Sequence, residues 1–173
     1  MKKIITLLFV LTSLNSFSYT RLSSDEYLSG VFTSKATKEI MKGSFDYNKD
    51  LAVVSDRLKT LDNVKTDALL GLKGSIYDYS VTKLKVLFEE TKLTGRNFDQ
   101  ATIKMMAEEI SKEIINKEKY EIGKTVELKN SNQYLMLVKI SKKDVEKITV
   151  EHFRKRLFNV IHRLNDYYHE LGK

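Results

Sequence analysis

The tightest constraint on this chain lies at its C-terminal end. Val150, Leu157, Leu164 and Leu171 stand seven residues apart, and Phe153, Val160 and Tyr167 stand seven apart between them. That alternation of three and four residues puts all seven on one side of an α-helix, at the a and d positions of a heptad. Ile161 and Tyr168 widen the stripe. A strict two-position seam belongs to a coiled coil, whereas a wider stripe suits packing against a globular body or a partner, and the width here favours the second. Ser141 with Asp144 three residues on resembles a capping box, so an amphipathic helix over 142–171 is expected.

Upstream, Tyr120–Leu128 and Gln133–Ile140 are strand-like runs on either side of Lys129-Asn130-Ser131-Asn132, a cluster of turn formers. They read as an antiparallel hairpin. The second run is apolar on both faces, as in a strand covered from both sides. Asp99 is placed to cap a helix reaching about Asn116, with Ile103, Met106, Ala107, Ile110 and Ile114 on one face. Gly95-Arg96-Asn97 before it reads as a loop.

From Asn48 the pattern is again helical. Leu51, Val54, Leu58, Leu61, Val64, Ala68 and Leu72 recur at steps of three and four. Asp46 or Asn48 is the expected cap. Gly71 and Gly74 each weaken a helix by about 1 kcal/mol relative to Ala, so the helix is expected to end near Gly74. Ser75–Thr82 then alternates, with Tyr77, Tyr79 and Val81 on one face, and reads as a strand. Residues 19–47 are mixed and irregular, with a short helix around Lys35–Met41. The expected architecture is one α+β domain over 48–173. It comprises a long helix, a small antiparallel sheet with a β-hairpin, a second helix and the long C-terminal helix, in the order α-β-α-β-β-α.

A single domain agrees with a length of 173 residues. A chain of this size buries roughly two-thirds of the surface that its unfolded form exposes, so a core is attainable without staples. None are available: the absence of Cys excludes disulfides, thiolate metal sites and cysteine nucleophiles.

The N-terminus carries an address. Met1-Lys2-Lys3 leads into an apolar run from Ile4 to Leu14, followed by Ser16-Phe17-Ser18. Two lysines, a short apolar region and a small-x-small site form a secretory signal peptide over 1–18. The run is shorter than the 20 or so apolar residues of a membrane-spanning helix. Cleavage between Ser18 and Tyr19 leaves 155 of the 173 residues. With no Cys after the cut, the exported protein is not lipidated there, and any attachment to the envelope has to come from protein contacts or charge.

The chain carries a net charge of +7, with 24 of its 30 basic residues lysine. From Lys139 to Lys173 there are nine basic and five acidic residues, so much of the excess lies at the end. A basic surface suits anionic partners. Export makes nucleic acid an unexpected one. The cluster Arg154-Lys155-Arg156, beside Phe153 and Leu157, is the candidate docking element for an anionic envelope surface, since a basic amphipathic helix can lie on a membrane. Glu151, Asp166 and Glu170 dilute that signal. Tyr77 and Tyr79, and Tyr167-Tyr168, offer apolar area with a polar tip, which suits either the rim of a core or an interface.

No catalytic constellation is visible in the sequence. His152, His162 and His169 all lie on the last helix. His162, Asp166 and His169 share a face, but seven residues of helix separate the two imidazoles by about 10 Å, too far to share one ion. Glu89-Glu90 and Glu108-Glu109 are sequence neighbours and point about 100° apart on a helix, so neither is an acid–base pair. No glycine-rich phosphate loop, serine-nucleophile motif or His-Glu zinc helix occurs. The chain reads as non-enzymatic, with no cofactor and no metal.

Two stretches carry a family likeness. Val64-x3-Ala68-x3-Leu72-x3-Ile76-Tyr77-Asp78-Tyr79-Ser80-Val81 reads as a helix running into a strand, and Asn132 to Val145 as a hairpin running into a helix. Together, over roughly 48–150, they resemble the domain of LPP-type bacterial outer-membrane lipoproteins, which is related to flagellar-assembly envelope proteins. The departures are the missing lipidated Cys, a first helix poorer in Ala, and a heptad-bearing end with no counterpart. The resemblance implies a non-enzymatic envelope protein acting through contacts, and no catalytic residues.

The resulting expectation is an exported protein of the periplasm or outer membrane that binds envelope proteins or an anionic envelope surface. The expected interaction residues are Arg154, Lys155, Arg156, Leu157, Leu164, Tyr167 and Tyr168 of the terminal helix, with peripheral membrane contact and homo-oligomerisation through that helix as further modes. Two rivals share the same features. One is a periplasmic holdase chaperone similar to the basic, helical seventeen-kilodalton class. The other is a surface adhesin that oligomerises through the heptads.

Overall fold

The computed structural model describes residues 44–92, 99–128 and 132–171, and the backbone of 20–22. The expected signal peptide over 1–18, the helix around 35–41, the loop at 95–97 and most of the hairpin turn lie outside the described residues. Seven elements follow in order: β1 (Thr20–Leu22), β2 (Asp50–Val54), α1 (Leu61–Glu90), α2 (Gln100–Asn116), β3 (Glu121–Leu128), β4 (Gln133–Ser141) and α3 (Lys142–Leu171). The class is α+β, as expected, and the last four elements keep the expected order α-β-β-α. Within the segment expected to be irregular, Thr20–Leu22 is a strand.

The strands form one antiparallel sheet in the order β1-β2-β4-β3. β2 lies against β4 with Leu51 opposite Ile140 and Val53 opposite Val138. Side chains alternate across the sheet. Leu51, Val53, Met136, Val138 and Ile140 belong to the main core with the helices, while Ala52, Val54, Leu135 and Leu137 form a second cluster with Phe45, Val126 and Leu128. β4 is therefore buried on both faces, as its continuous apolar run requires. β3 is the exposed edge strand, and it carries a bulge between Ile122 and Lys124. Glycine fits closely there: a Cβ on Gly123 would lie 2.6 Å from Cδ2 of Leu137, so any larger residue would have to displace that buried side chain.

Two local expectations are corrected. Residues 50–54 are strand, not the first turns of a helix. Asp-Leu-Ala-Val-Val is a short apolar run, and periodicity alone does not separate a buried strand from a buried helix over that length. Asp46 and Asn48 accordingly cap no helix. Asp46 accepts the Asn48 N–H at 3.0 Å and pairs with Lys49 at 3.0 Å in the turn before β2. The cap of α1 is Thr60, whose Oγ1 accepts the Asn63 N–H at 3.3 Å.

The second correction is the strand expected over 75–82, which is the middle of α1. The helix passes through Gly71 and Gly74 and runs on to Glu90. This removes the helix-to-strand passage on which half of the family resemblance was drawn. The buried positions explain the misreading. Val64, Ala68, Leu72, Ile76, Ser80, Leu84 and Phe88 are spaced by four throughout. At 3.6 residues per turn each such step drifts by about 40°, so the buried line winds about 240° around the helix. α1 meets this drift by packing against the sheet, α2 and α3 in turn. No single face stays apolar, and a polar residue, Ser80, interrupts the line where the pattern changes.

α2 follows expectation. Oδ1 of Asp99 accepts the Thr102 N–H at 2.8 Å, and Ile103, Met106, Ala107, Ile110 and Ile114 are buried.

Candidate functional site: the projecting arm of α3

α3 begins where β4 ends and has two halves with different surroundings. In the first half Val145, Ile148, Thr149 and Phe153 are buried. Ser141 contributes to the start of the helix by accepting the Lys143 N–H at 3.2 Å. Lys142 anchors the same end to the turn before β2: its N–H donates to the Lys49 carbonyl at 2.7 Å and its Nζ to the Tyr47 carbonyl at 2.9 Å.

Polar contacts fix this half to the other helices. The Tyr79 hydroxyl of α1 donates to Oε1 of Glu146 at 2.6 Å, and Nζ of Lys83 meets the same oxygen at 2.6 Å. Glu146 is held below the ordinary carboxylate range first by the Lys83 bond and then by Tyr79. The Tyr79 phenol is pushed up, chiefly by burial and next by the Glu146 bond. On the other side Nε2 of His152 lies 2.8 Å from Oε2 of Glu113 on α2, while Nδ1 lies 4.0 Å from Glu109. Lys117 and Lys119 each reach Oε1 of Glu113 at 3.1 Å. Hydrogen bonds from His152 first, then Lys117, with a smaller one from Lys119, hold the Glu113 carboxyl down to about 2.

Phe153 is the last buried residue. Arg156, Leu157 and Val160 are half-buried, with Leu157 against the main core, and every described residue from 161 onward is exposed. The segment from 154 to 171 thus forms an arm leaving the body, about 27 Å long at 1.5 Å per residue. Phe158, Ile161, Leu164, Tyr167, Tyr168 and Leu171 along it are each 53–75% exposed. Single exposed apolar residues such as Phe158 are ordinary, but the row of the other five along one face marks an interaction site.

The seven expected interaction residues divide accordingly. Arg154 and Lys155 are exposed at the base of the arm, Arg156 and Leu157 are half-buried against the body, and Leu164, Tyr167 and Tyr168 line the outer part. They are spread along and around one helix and form no compact patch. The arm adds Phe158, whose ring packs edge-on to His162 with centroids 6.3 Å apart. Phe158 lies outside the a and d positions, so a heptad count does not find it. Tyr77 and Tyr79, expected together on a strand, are half-buried on α1.

Nothing described here converges as a metal centre. His162 pairs with Asp166 at 2.9 Å on the surface of the arm, and among the described residues no three His, Asp or Glu side chains group to hold an ion. A cleft of about 280 Å³ between the end of the sheet and α3 is lined by Asp50, Glu118, Lys119, Tyr120, Glu121 and Lys139, among others. Its charges are in part already paired, Lys139 with Glu121 at 3.5 Å and Lys119 with Glu113. No described helix is long and apolar enough to cross a membrane.

Comparison with family models, curated proteins and solved structures found no match to this chain. The reading of the arm therefore rests on its own geometry.

Proposed function

We propose that this is an exported binding protein of the cell envelope, acting through contacts and not through catalysis, with the arm of α3 as its binding element. The observation that carries the reading is the row of exposed apolar side chains on residues 161–171. Burying one Leu or Phe side chain is worth about 1.5–3 kcal/mol, so the five exposed side chains on one face, Ile161, Leu164, Tyr167, Tyr168 and Leu171, supply ample driving force for a partner. The body supplies rigidity: the base of the arm is fixed to two other helices by Phe153, Glu146 and His152. The N-terminal sequence, with Lys2-Lys3, the apolar run to Leu14 and Ser16-Phe17-Ser18, supports export. The basic cluster Arg154-Lys155-Arg156 at the base of the arm supports attraction to an anionic surface.

Fractionation of cells expressing the full chain tests this. The wild-type protein is expected in the envelope pellet, shortened at its N-terminus by mass spectrometry. The variant carrying Leu164→Asp and Tyr168→Asp is expected in the soluble fraction with its fold intact. An unprocessed N-terminus overturns the export part. Identical fractionation of the two proteins overturns the role of the arm. A soluble wild-type protein that suppresses aggregation of an unfolded outer-membrane protein, and loses this in the same variant, transfers the arm to the chaperone reading.

A further inference from the structure

The arm carries a charge gradient as well as an apolar stripe. Arg154, Lys155 and Arg156 stand at its base, and Asp166 and Glu170 stand near its tip. At 100° per residue, Leu157, Val160, Ile161, Leu164, Tyr167, Tyr168 and Leu171 occupy a band about 120° wide. Arg156, Arg163 and Glu170 follow one edge of that band, and Arg154 begins the other.

The geometry points to a second copy of this chain as the occupant of the stripe, with the two arms antiparallel and overlapping about residue 162. This deepens the reading of the arm as the binding element and rests on it. In that register Leu164 faces Val160 of the second copy, and Leu157 faces Tyr167. The shared edge brings Arg156 against Glu170, twice by symmetry, as expected of a self-complementary two-fold interface. Along the other edge Arg154 meets the ring of Tyr168, a cation–π arrangement, and the two Ile161 side chains meet each other. The one adverse pair is Arg163 with its own copy near the axis. A parallel pairing does worse. It gathers both Arg154-Lys155-Arg156 clusters at one end and leaves Glu170 far from any Arg156. Charged flanks set orientation in paired helices, so the gradient selects the antiparallel form.

Sedimentation equilibrium of the full mature chain, with circular dichroism as the check on folding, tests the inference. Wild type is expected to show a reversible monomer–dimer equilibrium that Leu164→Asp abolishes. Glu170→Arg and Arg156→Glu each weaken the dimer at least several-fold, the double reversal restores most of the loss, and Arg163→Gln tightens it. Because the chain has no Cys, disulfide trapping gives an independent reading of orientation. A mixture of Val160→Cys and Leu164→Cys chains crosslinks in the antiparallel form, and Leu164→Cys alone crosslinks in the parallel one. A monomer at all concentrations, a dimer indifferent to Leu164→Asp, a double reversal no better than the singles, or efficient trapping of Leu164→Cys alone overturns the inference. If the chain is monomeric yet Leu164→Asp with Tyr168→Asp still leaves the envelope pellet, the second copy is wrong and the binding role of the arm stands. If neither responds, both fall.

Discussion

The rings of Phe88 and Phe153 meet edge to face, with centroids 5.2 Å apart and planes at 78°. This contact closes the core between the end of α1 and the middle of α3, and beyond it no residue of α3 is fully buried. It marks the boundary between a helix that holds the fold together and an arm that does not.

Phe153→Ala is accordingly expected to cost 3–5 kcal/mol, the range for removing a buried Phe. Leu164→Asp, eleven residues further on, is expected to change stability by less than about 0.5 kcal/mol, as for an exposed site. Urea denaturation at low protein concentration, where any self-association is absent, checks both. Comparable losses for the two variants would mean that the arm packs on the body.

Ser80 offers the opposite test. Its side chain is fully buried in α1 and, among the described residues, its hydroxyl has no partner. A buried hydroxyl without a hydrogen bond costs about 1–3 kcal/mol. Ala leaves no polar atom and is the better helix former. Ser80→Ala is expected to raise the unfolding free energy by about 1 kcal/mol, read as a higher midpoint at an unchanged urea slope. A loss of stability would show that the hydroxyl is satisfied in solution.

Ser80 also shows where the sequence was legible and where it was not. Elements with local signals were readable: Asp99 caps α2, the two strand-like runs make the hairpin, and heptads mark α3. α1 was half hidden because its buried line drifts around the helix and passes through Ser80, while Tyr77 and Tyr79 imitate a two-residue period. β2 was misread because Leu51, Val54 and Leu58 happen to continue the spacing of the helix beyond. In the candidate site, the stripe was visible in the sequence. The place where the body releases it was not, since that depends on how far α1 and α2 extend alongside α3.

The Glu113 carboxylate makes stability depend on acid. Its pKa falls from an ordinary 4.5 to about 2 in the folded chain. A depressed pKa contributes stability that is present in full above the unfolded value and is lost as pH falls through the folded value. The loss therefore begins as pH falls through about 5 and is complete only near pH 1, below both values. Since the group is partly exposed, its contribution is on the order of 2 kcal/mol. Glu113→Gln is expected to lower stability at pH 7 by about that amount and to flatten the decline between pH 5 and 2. Glu146 and Glu108, also held down by lysine hydrogen bonds, leave a smaller residual slope. Urea midpoints of the two proteins across that range check this, and parallel curves would remove Glu113 as the cause.

The two halves of α3 predict two different truncations. Ending the chain at Ser141 removes Val145, Ile148 and Phe153 from the core, along with the Glu146 and His152 contacts to α1 and α2. Losing three buried side chains of that size costs on the order of 10 kcal/mol, comparable to the roughly 5–15 kcal/mol by which domains are stable. That variant is expected to be unfolded by circular dichroism and rapidly proteolysed. Ending the chain at Asn159 removes Ile161, Leu164, Tyr167, Tyr168 and Leu171, all exposed, and only the half-buried Val160. It is expected to fold with a melting temperature within a few degrees of the full chain. If the Ser141 variant folded cooperatively, the first half of α3 would be an appendage like the second. If the Asn159 variant melted far lower, the arm would be part of the fold, and its apolar row would have to be explained by packing within one chain.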